Sequence, residues 1–233
     1  MYDRAAVLPH GMLIWNAKEN PYGTNSCING PAEVAACYLA IATGDEKYYE
    51  QAKKLYAAQR QYLFVPSTGQ VYDSFTWENN NPVKYNYWAS SYNQGTYLGA
   101  AIMLYNHYGD GQYKEDAKMI MHYVRTNMCE NDIMTEEGTG GDLPGFKGIL
   151  MRYVRRFIVD FQQPEEATWL QKNAVHAYNN KNSKGISLHA WRVKTPENFI
   201  FGESNGQPWN FSNNPFGPSS SISVAFNAPL DKN

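Results

Sequence analysis

The sequence predicts an all-α toroid of helical hairpins, and three observations carry the prediction. One segment repeats at a constant offset, helices that are apolar all round alternate with amphipathic ones, and short connections alternate with long ones. The repeat sets Gly44-Asp45-Glu46-Lys47-Tyr48-Tyr49-Glu50-Gln51-Ala52-Lys53 against Gly109-Asp110-Gly111-Gln112-Tyr113-Lys114-Glu115-Asp116-Ala117-Lys118. Upstream of each copy, Asn29-Gly30 falls in register with Gln94-Gly95. Self-similarity at a fixed spacing marks a repeat architecture, in which each unit stacks on the next to bury its apolar face.

Taken in order, each repeat reads as two helices. The inner ones are expected over 30–42, 92–107 and 147–160, where small and apolar residues surround the axis, as in a helix buried on every side. The outer ones are expected over 46–62, 112–127 and 165–179, where charges mix with apolar residues at three- and four-residue spacing. Between inner and outer helix stands Gly-Asp in the first two units, the glycine free to turn left-handed and the aspartate able to cap the next N-terminus. The third unit uses Gln163-Pro164, with proline near the helix start. A fourth inner helix begins at Ser219-Ser220-Ser221 and breaks off at Pro229. Runs of β-branched residues are nearly absent, which disfavours a parallel β-sheet fold.

The outer-to-inner connections, 63–91, 129–146 and 179–218, are long. Because every unit runs the same way, all of them are expected at one end of the toroid, and long structured loops are commonly functional. They carry Tyr72, Trp77, Tyr85, Tyr87, Trp88, Trp191 and Trp209 together with many asparagines. The chain has 18 Tyr, 10 Phe and 6 Trp against only 18% charged residues. Flat rings suit the C–H faces of a sugar and amides suit its hydroxyls, so a carbohydrate cleft is expected; the same rings also serve to fill a core.

Other classes are disfavoured. A net charge of −2 without a basic stripe offers nothing to nucleic acid, and no apolar run approaches the ~20 residues that cross a bilayer. Residues 1–11 carry no signal-peptide pattern. Cys27, Cys37 and Cys129 lack the spacing of a disulfide framework or zinc site, and the five histidines form no ligand motif, so no metal or cofactor is expected.

Three segments then resemble one family. Leu13-Ile14-Trp15-Asn16 through Lys18 and Asn20 to Asn25-Ser26, the helix start Ser91-Tyr92-Asn93-Gln94-Gly95, and Asp142 with Phe146-Lys147-Gly148-Ile149 and Arg152-Tyr153 resemble motifs of glycoside hydrolase family 76, the endo-α-1,6-mannanases. The resemblance runs from about Gly11 to Phe226. It implies an (α/α)6 barrel, retaining hydrolysis of α-1,6-mannan by two carboxylates about 5 Å apart, and secretion or a cell-surface location. In the family that pair is two consecutive aspartates on an early segment, and this chain has no Asp-Asp. Residues 1–233 therefore read as one partial toroid domain of about three and a half hairpins, with the catalytic pair expected upstream.

The expected substrate-binding residues are Trp15, Tyr85, Trp88, Asn93, Gln94, Asp142, Phe146 and Lys147. Trp15, Trp77 and Trp88 are candidate stacking platforms, and Asn93 either offers an amide to a sugar or caps its helix. Asp142 precedes an inner helix N-terminus, where anions are favoured, and Lys147 is expected to reach the cleft while Arg152 pairs with an inner carboxylate. Asp73 and the Glu136-Glu137 pair are weaker candidates. The alternatives are a non-catalytic carbohydrate-binding relative or inactive fragment of the same fold, and a different toroid enzyme such as a sugar epimerase or unsaturated-uronyl hydrolase.

Overall fold

The computed structural model describes residues 5, 7–138, 140–198 and 216–229. In chain order these form β1 (Gly23–Asn25), α1 (Ser26–Thr43), α2 (Lys47–Tyr62), β2 (Phe64–Val65), β3 (Gln70–Val71), β4 (Ser74–Glu78), β5 (Asn81–Asn86), α3 (Ser91–Tyr108) and α4 (Gly111–Asn127). There follow β6 (Cys129–Glu130), β7 (Ile133–Met134), α5 (Phe146–Phe161), α6 (Pro164–Asn179) and α7 (Phe216–Asn227). The chain divides into two compact units, Met1–Tyr123 and Val124–Asn233.

The hairpin turns follow from their residues. Gly44 at φ 70° and Gly109 at φ 71° end α1 and α3 in the left-handed conformation that glycine adopts without strain. The aspartate after each caps the next helix: Asp45 Oδ1 accepts from Lys47 N–H at 3.1 Å, and Asp110 Oδ1 from Gln112 N–H at 2.9 Å. In the second unit Gln162 takes φ 54° and Pro164 opens α6.

The fourth inner helix, expected from Ser219, is described from Phe216, and two starts in the first unit also differ from expectation. α1 begins at Ser26, capped by Asn25 Oδ1 accepting from Ile28 N–H at 3.2 Å, so Pro31 lies inside the helix. A proline lacks the N–H that would bond the carbonyl four residues back. Here the Tyr92 hydroxyl donates to that Cys27 carbonyl at 3.3 Å, which offsets the loss. α3 is capped by Ser90, whose Oγ accepts from Asn93 N–H at 3.0 Å; Asn93 is thus in the first turn and not the cap.

In the first unit α1 packs on α2 and α3. A Cβ at Gly30 would stand 2.5 Å from the Thr96 hydroxyl oxygen, so glycine is what lets the inner helices meet. α3 is buried around nearly its whole girth from Ser91 to Leu104, as an inner helix should be. Tyr56 stacks on Tyr97 at 4.4 Å and gives its hydroxyl hydrogen to Asp116, which Arg60 holds through two bonds of 2.7 and 3.0 Å. Each such buried ring contributes roughly 2–3 kcal/mol by area alone.

The connection 63–90 is built of short antiparallel strands. β2 pairs with β3, and a three-stranded sheet runs in the order β1-β4-β5. Asn79 and Asn80, at φ 50° and 62°, make the tight turn between β4 and β5, a conformation asparagine tolerates.

In the second unit α5 packs on α6 and α7, with a short 3-10 turn, Leu143–Gly145, ahead of α5. The serine run on α7 fastens this unit: Ser220 Oγ donates to Pro144 O at 2.5 Å, Ser223 Oγ to Gly148 O at 2.7 Å and Ser221 Oγ to Leu188 O at 2.7 Å. No helix of the described residues is long and apolar enough to cross a membrane.

Candidate functional site

A cavity of about 370 Å3 opens on the first unit, walled by β1, β4, Trp15, Asn20, Cys27, Asp73 and Lys84. Its one carboxylate among the described residues, Asp73, sits just before β4. Asp73 Oδ1 accepts from Asn93 Nδ2 at 3.2 Å, and Oδ2 accepts from Ser74 Oγ at 3.0 Å and Asn86 Nδ2 at 3.1 Å. The backbone closes the same loop, since Asp73 N–H donates to Asn86 O at 3.0 Å. Three neutral donors on one carboxylate hold it aimed.

Trp15 stands over this cavity with 58% of its surface exposed, its backbone N–H donating to Gly23 O at 3.1 Å. A ring so exposed beside amides and a fixed carboxylate is suited to the apolar face of a sugar. Behind it, Asn29 Oδ1 accepts from Leu13 N–H at 2.9 Å and its Nδ2 donates to Thr24 Oγ1 at 3.0 Å, tying the Trp15 segment to the start of α1.

The aromatic excess is divided between surface and core. Tyr87 and Trp88 are exposed, while Tyr72, Trp77 and Tyr85 pack on the cluster of Met12, Ala58, Leu63 and Phe75. Tyr85 stacks on Tyr87 with centroids 5.4 Å apart, and the Trp88 N–H donates to Asn86 Oδ1 at 3.1 Å. Asn86 thus joins Asp73 to Trp88. Gln94 is fully buried; its Oε1 accepts from Val71 N–H at 2.6 Å and its Nε2 donates to Gly69 O at 3.0 Å, so it fastens the β2–β3 hairpin. Trp15, Asn93, Trp88 and Tyr85 therefore gather, directly or through one intermediary, about Asp73 and its sheet. Asp73, a weaker candidate in the sequence, stands on that wall, and Thr24 and Lys84, which no sequence signal singled out, complete it.

Asp142, Phe146 and Lys147 belong to the second unit. Asp142 is exposed and precedes the 3-10 turn without a side-chain capping bond, and Phe146 opens α5 half-buried. Lys147 is buried; its ammonium donates to the His189 carbonyl and lies 4.2 Å from the centroid of the Trp191 ring. Burial pushes its pKa down to about 8. The His189 ring, buried beside that cation, is pushed down to about 4, and its nitrogens have no partner among the described residues. Trp191 is wholly buried, and Trp209 lies outside the described residues. Glu136 forms an ion pair with Arg192 at 2.9 Å. The expected partner for Arg152 is not found: the side chain is exposed and forms no ion pair among the described residues, because its face of α5 points to solvent. No group of three or more His, Cys, Asp or Glu able to hold a metal occurs among the described residues.

Comparison with known proteins places the chain in a family. Among solved structures the chain is similar to the α-1,6-mannanase of Salegentibacter sp. HEL1_6, at 27% identity and a TM-score of 0.77, over 94% of this chain and 61% of that one. An inactive variant of that enzyme, with two consecutive aspartates replaced by asparagine and α-1,6-mannotriose bound, is similar at 28% identity, with the same TM-score and coverage. A protein of Listeria innocua shares the fold, at 24% identity and a TM-score of 0.76, over 93% of this chain and 59% of that one. The chain thus spans about three-fifths of the length of these relatives. A comparison with curated proteins finds no match. The fold is the all-α toroid class expected from the hairpin repeat. The family model for glycosyl hydrolase family 76 matches residues 9–208, and the chain belongs to that family.

Proposed function

We propose that this chain carries the mannan-binding wall of a retaining α-1,6-mannanase, with α-1,6-linked manno-oligosaccharide lying against Trp15 and the Asp73 carboxylate. The observation that carries the reading is that cleft: an exposed indole, an oriented carboxylate and amides around about 370 Å3. The ligand of the Salegentibacter variant supports it. Asp142, Phe146 and Lys147 are assigned to the same function as residues of the second unit's loop end, with Lys147 acting by holding that end in shape. Residues 1–233 act as one domain, at the cell surface or outside the cell.

Catalysis needs two carboxylates at about 5 Å. The chain has no consecutive aspartates, and Glu136 is tied to Arg192. These facts favour a specific second reading, a carbohydrate-binding relative without turnover. Calorimetric titration with α-1,6-mannotetraose and release of oligomers from debranched yeast mannan test both. The 233 residues are expected to bind and to release nothing, and Trp15→Ala to weaken binding about tenfold. Turnover that appears once the aspartate-bearing polypeptide is supplied supports the first reading; binding that never becomes turnover supports the second. An absence of binding sinks both.

A further inference from the structure

Lys84 occupies a backbone position that its residue type does not favour. Thr76 pairs with Val83 and Ser74 with Asn86, so between these pairs β4 places Phe75 alone opposite both Lys84 and Tyr85. The extra residue is a β-bulge, and Lys84 takes it at φ 52°. Glycine is the residue such a left-handed bulge position favours, because it has no Cβ to crowd the following carbonyl. Unlike Asn79 and Asn80, Lys84 is neither at a turn nor an asparagine, so local turn chemistry does not account for it.

Its ion pair does not account for it either. Lys84 reaches Glu78 across the hairpin, but the two side chains are 70% and 40% exposed, and exposed pairs contribute little. Bulges beside functional sites re-aim a side chain, and strained non-glycine residues concentrate at ligand contacts. Lys84 lines the cavity that holds Trp15 and Asp73, and among the described residues it is the single cation on that wall. Asp73 is already occupied by Asn93, Ser74 and Asn86 and makes no bond to it.

Resting on the mannan-binding reading above, we propose that Lys84 is a specificity-determining residue of this cleft. Its ammonium has three donors and gives one to Glu78; the others donate to adjacent hydroxyls of a hexose stacked on Trp15. The left-handed bulge turns the side chain toward the sugar, and the strain is retained for that contact.

The test titrates α-1,6-mannotetraose into the 233-residue chain and its variants, with thermal midpoints in parallel. Lys84→Met, which keeps length and loses the donors, is expected to weaken binding about tenfold, while Lys84→Arg stays within about threefold. Lys84→Gly should bind as poorly as Lys84→Met yet melt no lower than the parent chain, since the strain is gone. Lys84→Met binding as tightly as the parent, while Trp15→Ala does not, overturns the assignment and leaves the cleft intact. A lower midpoint for Lys84→Gly also overturns it, because the lysine would then be retained for stability. Failure of the parent chain to bind removes the cleft and this residue together.

Discussion

Gln94 in the first unit and Lys147 in the second hold the same place, in the first turn of an inner helix and one residue before a glycine. Both are buried, and both use a polar tip to hold the backbone of a loop folded over the helix end. Asn29, before Gly30, does the same for Leu13 and Thr24. The chemistry differs. An amide both accepts and donates, so Gln94 satisfies the N–H of Val71 and the carbonyl of Gly69 without charge. An ammonium only donates, and it must shed its water to reach the His189 carbonyl and the Trp191 face. The same fastening is therefore indifferent to pH in one unit and dependent on it in the other.

The largest effect expected is from Lys147→Ala, which empties a buried volume and orphans the His189 carbonyl, at about 4 kcal/mol. Urea unfolding would show it, and a loss under about 1 kcal/mol would break the parallel with Gln94. Gln94→Ala leaves two buried backbone groups unpaired and should cost about 3 kcal/mol. Its cost should be the same at pH 6 and pH 9, whereas that of Lys147→Ala should not.

The pH dependence sharpens the contrast. Lys147 has a folded pKa of about 8, below its ordinary 10.5, so the folded state releases the proton first. The stability it contributes is present above 10.5 and lost as pH falls through 8, a span of about 3 kcal/mol. His189, at about 4 against 6.5, acts in the same direction: stability is lost as pH falls from 6.5 through 4. Unfolding followed from pH 7 to 10 should show a rise that Lys147→Met abolishes.

The first unit holds the opposite case. Glu33 is fully buried without a partner among the described residues, and burial raises its pKa well above 4.5. The stability of its neutral form is complete below 4.5 and is lost as pH rises through the folded value. Glu33→Gln should stabilise the chain by about 1 kcal/mol at pH 7 and change little at pH 4. Equal midpoints at both pH values for parent and variant would refute a buried neutral acid.

The hairpin order was legible because its signals are local. Gly44-Asp45, Gly109-Asp110 and Gln163-Pro164 each encode a turn within a few residues, and the observed helices end there. Where a second partner decides, the reading slipped. The first inner helix is expected from residue 30, but it starts at Ser26 and encloses Pro31, where the Tyr92 hydroxyl donates to the carbonyl that lacks its helical N–H. Asn93 is a candidate cap of its helix, but Ser90 takes that place and the Asn93 amide donates to Asp73 instead.

The site shows the same division. The abundance of aromatic and amide side chains on long connections is a property of the sequence, and it singled out those connections as candidates. Which ring faces solvent is not: Trp15 and Trp191 are chemically the same, yet one is 58% exposed and the other 0%. Asp73 gains its place only when 23–25, 74–76 and 84–86 are laid side by side as strands. By itself the sequence determined the helices, their order and the hairpin turns between them, because hydrogen bonds and apolar periodicity act over a few residues. The tertiary structure alone decided the orphaned groups, the cleft wall and the bulge at Lys84, since those depend on which distant backbone stands opposite.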